Sequence, residues 1–496
     1  MHTPGIALTN ITSNIAAYAI KLLVGVVALP VCIQAFGAEL YGLFLIGFGL
    51  SSSLTAFDLG ASKAAFRYSV EYQTDKDKNK FTEAVNSSIS LSLMAAAGVA
   101  MIMVIIGTFS DTLFHSGPSV YSNGMPIFIC AAVNTGLLTI QATYIQLLNA
   151  HHYFHTRNTW QYIPVTCNIF LLFLISAGKL TIIPYCIYLT GLSGLSLFID
   201  LMLIHNSGIL RGTPFRFSLK SNVSSRYTTT SFIHAAISFL SVQADRLIIG
   251  SVLNTQAVTT YTIITKPYFL LRGLVASAYP VFQPTLSAAY FSGDAEAYRD
   301  LSRRVIRSAF MVVFCTSILL CAFFYPLLEA WMQTTEYHAD AVWGMISIAI
   351  ACVTMLYTPH YRTLAHSNAL HDIVWFSYLS VPVNVLISIL LTHFLGFQGV
   401  IIGTAVQISA EGIYIHYLTG RYMQTSKSPL TIRYWAICFA LMTLAFIISR
   451  RMYSATLGQP GTWISITVAT TILGYLCYRI LETEKPFKQS IPAGLQ

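Results

Sequence analysis

Fourteen stretches of this chain are apolar enough to cross a bilayer, and no other feature narrows the fold so far. They cover approximately residues 12–36, 40–64, 84–108, 124–148, 159–178 and 181–205 in the first half. In the second half they cover 229–253, 257–284, 307–329, 341–363, 372–394, 396–418, 431–449 and 462–481. A hydrocarbon core of about 30 Å takes about 20 helical residues, which these runs supply. Strands of a membrane barrel would be about 10 residues long and would alternate in polarity. Only 9% of the 496 residues are charged, against roughly 25% in an ordinary soluble domain. So few charges cannot cover the surface of a soluble enzyme, and the apolar runs exclude a disordered chain. The fold class expected is an all-α polytopic membrane protein of about fourteen transmembrane helices.

Orientation is read from the positive charges. Twenty Lys and Arg fall on the side of the N-terminus: the loop residue Arg157, Arg362, clusters around 67–80, 211–226, 299–307 and 421–433, and the tail. The opposite loops hold three, Lys179, Arg450 and Arg451. Both termini are therefore expected in the cytoplasm, and the net charge of +9 follows from topology rather than from affinity for nucleic acid. No Lys or Arg precedes the first apolar run, which is expected to stay as the first membrane helix rather than be cleaved. The loops are too short to fold as soluble domains. The chain has no G-x-x-x-x-G-K-[ST] phosphate loop, so it offers no basis for ATP hydrolysis. Its nine cysteines include no C-x-x-C pair, and His151, His152 and His155 stand without a neighbouring carboxylate or thiol. No metal site, disulfide scaffold or cofactor is expected.

Two segments look alike at an offset of 217 residues. Ala38 to Phe44 and Thr255 to Tyr261 are both short polar links that lead into a long apolar helix with an aromatic just inside it. Spans 1–6 and 7–12 then form two parallel six-helix lobes. The expected division is 1–228, 229–430, and an addition of two spans and a tail at 431–496.

Asn14, Pro30, the run Phe36-Gly37-Ala38-Glu39-Leu40-Tyr41-Gly42, and Asp58-Leu59-Gly60 followed by Arg67 resemble the bacterial polysaccharide transporter family. Gln243 to Gly250 is similar to that family's seventh-helix pattern. The family includes the O-antigen flippases and shares a superfamily with multidrug-and-toxin extrusion transporters and lipid II flippases. The resemblance implies a two-lobed transporter of the bacterial inner membrane, not an enzyme. It would carry an undecaprenyl-diphosphate-linked oligosaccharide outward through a polar central cavity by alternating access. Implied partners are that substrate, membrane lipids, a proton or sodium gradient, and the polysaccharide polymerase and chain-length regulator of the same pathway.

Ionisable groups at membrane depth cost several kcal/mol and usually face a cavity or a partner. Five bases, Lys21, Lys63, Arg246, Lys266 and Arg272, fall in or near spans 1, 2, 7 and 8. Lys63 is expected to snorkel to the interface. Lys21, Arg246, Lys266 and Arg272 are the candidates for holding a diphosphate. A guanidinium offers phosphate a planar fork, and an ammonium offers a compact point charge. At about 1.5 Å per helical residue, Lys21 and Asp58 come to a similar depth on consecutive helices. They are expected either to pair or to leave Lys21 to the substrate. Asp245 and Lys266 likewise share a depth. Arg272, near the middle of its helix, is expected to face no acid. Asp58, Asp245 and Glu411 are candidates for ion coupling or structural pairing, and Asp200 is expected to be solvated near the interface. A cation-coupled multidrug exporter is the closest alternative, but five bases against Asp58 and Asp245 in those spans favour an anionic guest. A membrane polymerase or glycosyltransferase would be expected to carry a sizeable outer loop with catalytic residues, which this chain lacks.

Overall fold

The computed structural model describes residues 4–75, 78–114, 118–151, 153–210, 215–218, 225–278, 295–364 and 370–423. The described residues are helical and contain no strand. Helices α1 (Pro4–Phe36), α2 (Ala38–Leu54), α3 (Ala61–Asp75), α4 (Lys78–Thr108), α5 (Ser110–Leu113) and α6 (Pro118–Ala150) are followed by α7 (Phe154–Trp160), α8 (Tyr162–Ser176) and α9 (Ile182–Ser207). Then come α10 (Ser225–Val252), α11 (Thr255–Ala278), α12 (Ala295–Ala322), α13 (Phe324–Met332), α14 (Ala341–Leu364), α15 (Leu370–Leu395) and α16 (Gln398–Met423). The first twelve expected spans fall mainly on described helix, and residues 279–284 of the eighth lie outside the described residues. The last two, 431–449 and 462–481, lie outside the described residues. Among the described residues seven helical stretches are long and apolar enough to cross a membrane, with α7 and α8 counted together as His155–Ser176, or eight with one bent pair counted as a span. The protein is an all-α polytopic membrane protein.

Three spans expected as single helices are broken, each for a local reason. Span 2 ends at Leu54 and passes through a 3-10 turn at Thr55–Phe57. Ser52 and Thr55 hydroxyls donate back to the carbonyls of Gly49 and Ser52, which loosens the end of α2. Asp58 then caps α3: its carboxylate accepts from the backbone N–H of Gly60 and of Ser62, both at 2.9 Å. Leu59 and Gly60 adopt φ values of 56° and 80°, the left-handed turn that reverses the backbone before the new helix. Spans 5 and 9 break at Gln161 and Phe323, the latter with a 71° bend. In each case a proline, Pro164 or Pro326, stands three residues beyond the break. It withholds the N–H that would have bonded to Trp160 or Ala322. By contrast α11 and α15 continue through Pro267 and Pro382.

The repeat seen in sequence extends to the helix boundaries. α11 and α12 begin 217 residues after α2 and α4, and α16 begins and ends 216 residues after α9. The two matching segments also touch each other. Thr259 Oγ1 donates to the Ala38 carbonyl at 2.6 Å, while Gly42 lies so close to Thr255 that a Cβ there would overlap its carbonyl oxygen. Residue 38 thus meets the equivalent of residue 42, and residue 42 meets the equivalent of residue 38. That reciprocity is the mark of a two-fold contact between like elements.

The chain divides into two compact units, Met1–Ile263 with Val374–Gln407, and Ile264–Ile373 with Ile408–Gln496. The first is built around α6, which packs on α2, α3, α4 and α9. Phe81, Val85, Ile89, Leu147, Leu148 and Leu203 belong to one buried core at an end of these helices. Polar groups tie the same helices together: Asn134 donates to Ser51 at 2.7 Å and accepts from Ser193 at 2.6 Å, joining α2, α6 and α9. In the second unit α12 packs on α14, and Leu364, Ile373, Ile415 and Leu418 form a core bordered by Tyr357, Tyr361 and Tyr414.

Replacing Gly42 by Ala should force the α2–α11 contact apart and lower the melting temperature in detergent, at a cost of about 1–3 kcal/mol. Gly98→Ala is the control, because a Cβ there meets nothing within 4 Å. Equal melting of both variants and wild type would contradict the contact.

Candidate functional site

In the second unit, Arg272 on α11 donates from Nη1 to the hydroxyl of Tyr268, one turn earlier, at 3.2 Å. On α14 the Tyr357 hydroxyl donates to Glu411 Oε2 of α16, also at 3.2 Å. Arg272 lies within electrostatic reach of both Tyr357 and Glu411, and its side chain is solvent-accessible. The expectation that Arg272 faces no acid is corrected here. Glu411 is its acidic neighbour, brought from a helix far along the chain. The two charges do not close into a direct ion pair; phenol hydroxyls stand on both. A guanidinium with one donor spent on a neutral hydroxyl keeps most of its five N–H groups for an anion. Lys266 lies half-buried on the same helix, six residues before Arg272.

In the first unit, Asp245 and Arg246 turn to different neighbours, as consecutive residues on a helix must. Asp245 Oδ2 accepts from Tyr261 at 2.6 Å and from Thr404 at 3.5 Å. Arg246 lies across α2 at Gly49, where a Cβ would come within 2.7 Å of its Nη1. The adjacent Gln243 donates to Ser53 at 2.6 Å. Arg246 is also within electrostatic reach of Tyr41, Tyr261 and Asp245. The glycine makes room for the guanidinium between the helices, and the surrounding hydroxyls and carboxylate offset its charge.

A third cluster was not legible in sequence. Asp200 of α9 has no exposed side-chain surface, contrary to the expectation that it is solvated. Gln141 of α6 donates to its Oδ2 at 2.7 Å, while Arg157 Nε of α7 and Gln161 donate to Oδ1 at 3.0 and 3.3 Å. Gln161 stands at the α7–α8 break, and its side chain also reaches the Ser196 carbonyl at 3.2 Å. Arg157 and Gln161, one helical turn apart across the α7–α8 junction, thus share one carboxylate. Lys21 of α1 is exposed and lies within electrostatic reach of Arg157 and Asp200. Of the two alternatives left open for Lys21 and Asp58, the pair does not form among the described residues: both Asp58 oxygens are taken by the cap of α3, and the helix end at Leu54 takes Asp58 out of the span. Lys63 is exposed on α3.

Sequence reasoning missed Tyr268, Tyr357, Gln141, Arg157 and Gln161. Arg157 counted only as a loop charge. The proline after a short polar run was the one local sign that it belonged to a separate helix.

A helical membrane bundle of this kind, with cationic and acidic side chains gathered inside its spans, has the fold of a transporter. It matches the solved structure of "Lipid II flippase MurJ, inward closed conformation" with a TM-score of 0.68 at 15% identity, over 96% of this chain and 98% of that one. An inward-facing multidrug resistance MATE family transporter of the MOP superfamily matches with a TM-score of 0.58 at 15% identity, over 83% and 96% of the two chains. A MOP superfamily transporter from Pyrococcus furiosus, described as having a binding pocket of reversed polarity, matches with a TM-score of 0.57 at 13% identity, over 86% and 100%. No curated protein matches by sequence. The profile of the polysaccharide biosynthesis protein family matches residues 7–290, and the chain belongs to that family.

Removing the carboxylate of Asp200 should strand Arg157 among buried groups, a loss of about 3–5 kcal/mol for a broken buried pair. Asp200→Ala is thus expected to reduce folded protein in the membrane sharply. Asp58→Ala, which removes a helix cap, should cost only about 1 kcal/mol. Thermal unfolding of purified variants ranks the two, and an Asp200→Ala variant as stable as Asp58→Ala would contradict the buried assignment.

Proposed function

We propose that the chain is a flippase that moves an undecaprenyl-diphosphate-linked oligosaccharide from the cytoplasmic to the outer face of the bacterial inner membrane. It would alternate access between two six-helix lobes, 1–228 and 229–430, with 431–496 appended and both termini cytoplasmic. The observation that carries this reading is the solvent-accessible guanidinium of Arg272, set between two phenols and Glu411 inside a membrane bundle. A fixed cation in such a setting suits an anionic head group and repels a cationic drug. Membership of the polysaccharide biosynthesis family supports a sugar-bearing substrate, and the fold shared with a lipid II flippase supports a lipid-linked one.

Each candidate residue then has a role. Arg272 takes the diphosphate, aided by Lys266, and Lys21 supplies a separate phosphate contact within the first unit. Glu411 competes with the substrate for Arg272, which keeps binding weak enough for release. Arg246 holds the cationic wall near α2. Asp245, whose carboxylate already gathers two hydroxyl neighbours, is the group proposed to bind the coupling proton or sodium ion, whose affinity must differ between the two states.

The test is surface polysaccharide in cells that depend on this chain at native expression. Arg272→Ala should reduce it about tenfold or more, the loss expected for a charge-assisted contact, while membrane abundance is unchanged. Arg272→Lys should recover part of the activity if charge suffices and little if the planar fork is needed. Normal polysaccharide from Arg272→Ala would sink the proposed role.

A further inference from the structure

α1 packs against α7 and α8, and Arg157 of α7 is ion-paired with Asp200 at 3.0 Å. Lys21 lies within reach of Arg157 and Asp200, and Asp200 is the single acid acting on it among the described residues. That carboxylate is saturated: Gln141, Arg157 and Gln161 all donate to it. Arg157 spends only Nε there, so the four N–H groups of its two Nη atoms have no side-chain acceptor among the described residues. The Lys21 ammonium likewise donates to no described residue. Both remain reachable, Lys21 being exposed and Arg157 retaining 15% of its side-chain surface. Like charges within electrostatic reach repel one another, and among the described residues only Asp200 offsets this pair at Lys21. An anion between them would turn repulsion into attraction.

We infer that Lys21 and Arg157 form a phosphate-binding subsite at the α1–α7 contact, with Asp200 as the positioning residue that aims the Arg157 guanidinium. The combination of a planar fork and a point charge suits the several oxygens of a phosphate ester. Asp200 cancels one of the two charges, which keeps the affinity moderate. Such phosphate has two sources, the diphosphate of a lipid-linked sugar or the head group of an anionic phospholipid. The first source rests on the flippase reading and the second does not.

The experiment uses the full chain in phosphatidylcholine nanodiscs, doped with either undecaprenyl diphosphate or phosphatidylglycerol, with bound lipid counted by native mass spectrometry. Lys21→Gln removes an exposed ammonium and leaves the buried knot intact. Arg157→Lys keeps a positive charge for Asp200 but loses the fork. Each should weaken binding of the true ligand about tenfold, and the lipid that responds identifies the source. Asp200→Asn, compared among folded molecules, should weaken binding in the wild-type background and add little to Arg157→Lys, which a merely structural role would not produce. Undecaprenyl diphosphate binding that falls in Arg272→Ala, with both lipids unaffected by Lys21→Gln and Arg157→Lys, would overturn the subsite and leave the flippase reading standing. Wild-type protein that binds no undecaprenyl diphosphate, yet loses phosphatidylglycerol in Lys21→Gln, would support the subsite and remove that reading. Wild type that binds neither lipid would overturn both.

Discussion

A charge carried into a low-dielectric interior must bring its partners with it, because an isolated ion there costs several kcal/mol. The described helices meet that requirement in three places. Asp200 gathers donors from α6, α7 and the α7–α8 junction. Asp245 gathers hydroxyls from α11 and α16. Glu411 takes a phenol from α14. Each solution recruits several helices at once, so the charged residues also specify which helices lie together. Lipid supplies little hydrophobic force between spans. Polar bridges such as Ser51–Asn134–Ser193 and close backbone approaches such as Gly42 on Thr255 therefore do much of the joining.

The reciprocal contact between the starts of α2 and α11 gives the repeat a physical meaning. Two related segments meet through small residues and hydroxyl-to-carbonyl contacts rather than through interlocked large side chains. Such a contact is geometrically specific but depends on few groups. The cations divide differently: Arg246 is wedged between helices, whereas Arg272 is accessible, and Lys21 with Arg157 is left electrostatically unbalanced. Accessible cations can serve an anionic guest, while a wedged one serves packing first.

Much of the architecture was legible because it depends on run length alone. The apolar stretches placed helix at each of the first twelve expected spans, and the residues Ala38 to Phe44 and Thr255 to Tyr261 disclosed the repeat. Depth arithmetic failed at Asp58 because it assumed an unbroken helix. The serines and threonine before Asp58, and the glycine after it, were the signs of a helix end and a cap. Pairings failed for a different reason. Nothing in a single sequence says that Glu411 approaches Arg272, or that Gln141 and Arg157 converge on Asp200, because those contacts depend on how helices rotate and pack. Aromatic hydroxyls such as Tyr268 and Tyr357 were invisible among 28 tyrosines.

The central claim is that this bundle moves an anionic lipid-linked sugar across a bilayer. Its most direct measurement is reconstitution of the purified chain into vesicles that carry a fluorescent undecaprenyl-diphosphate-linked sugar in the inner leaflet, with outer-leaflet exposure read by a membrane-impermeant quencher. Exposure is expected to be faster than in protein-free vesicles, and slowed to near that background by Arg272→Ala. Exposure no faster than in protein-free vesicles, in the presence of either a proton or a sodium gradient, would contradict it.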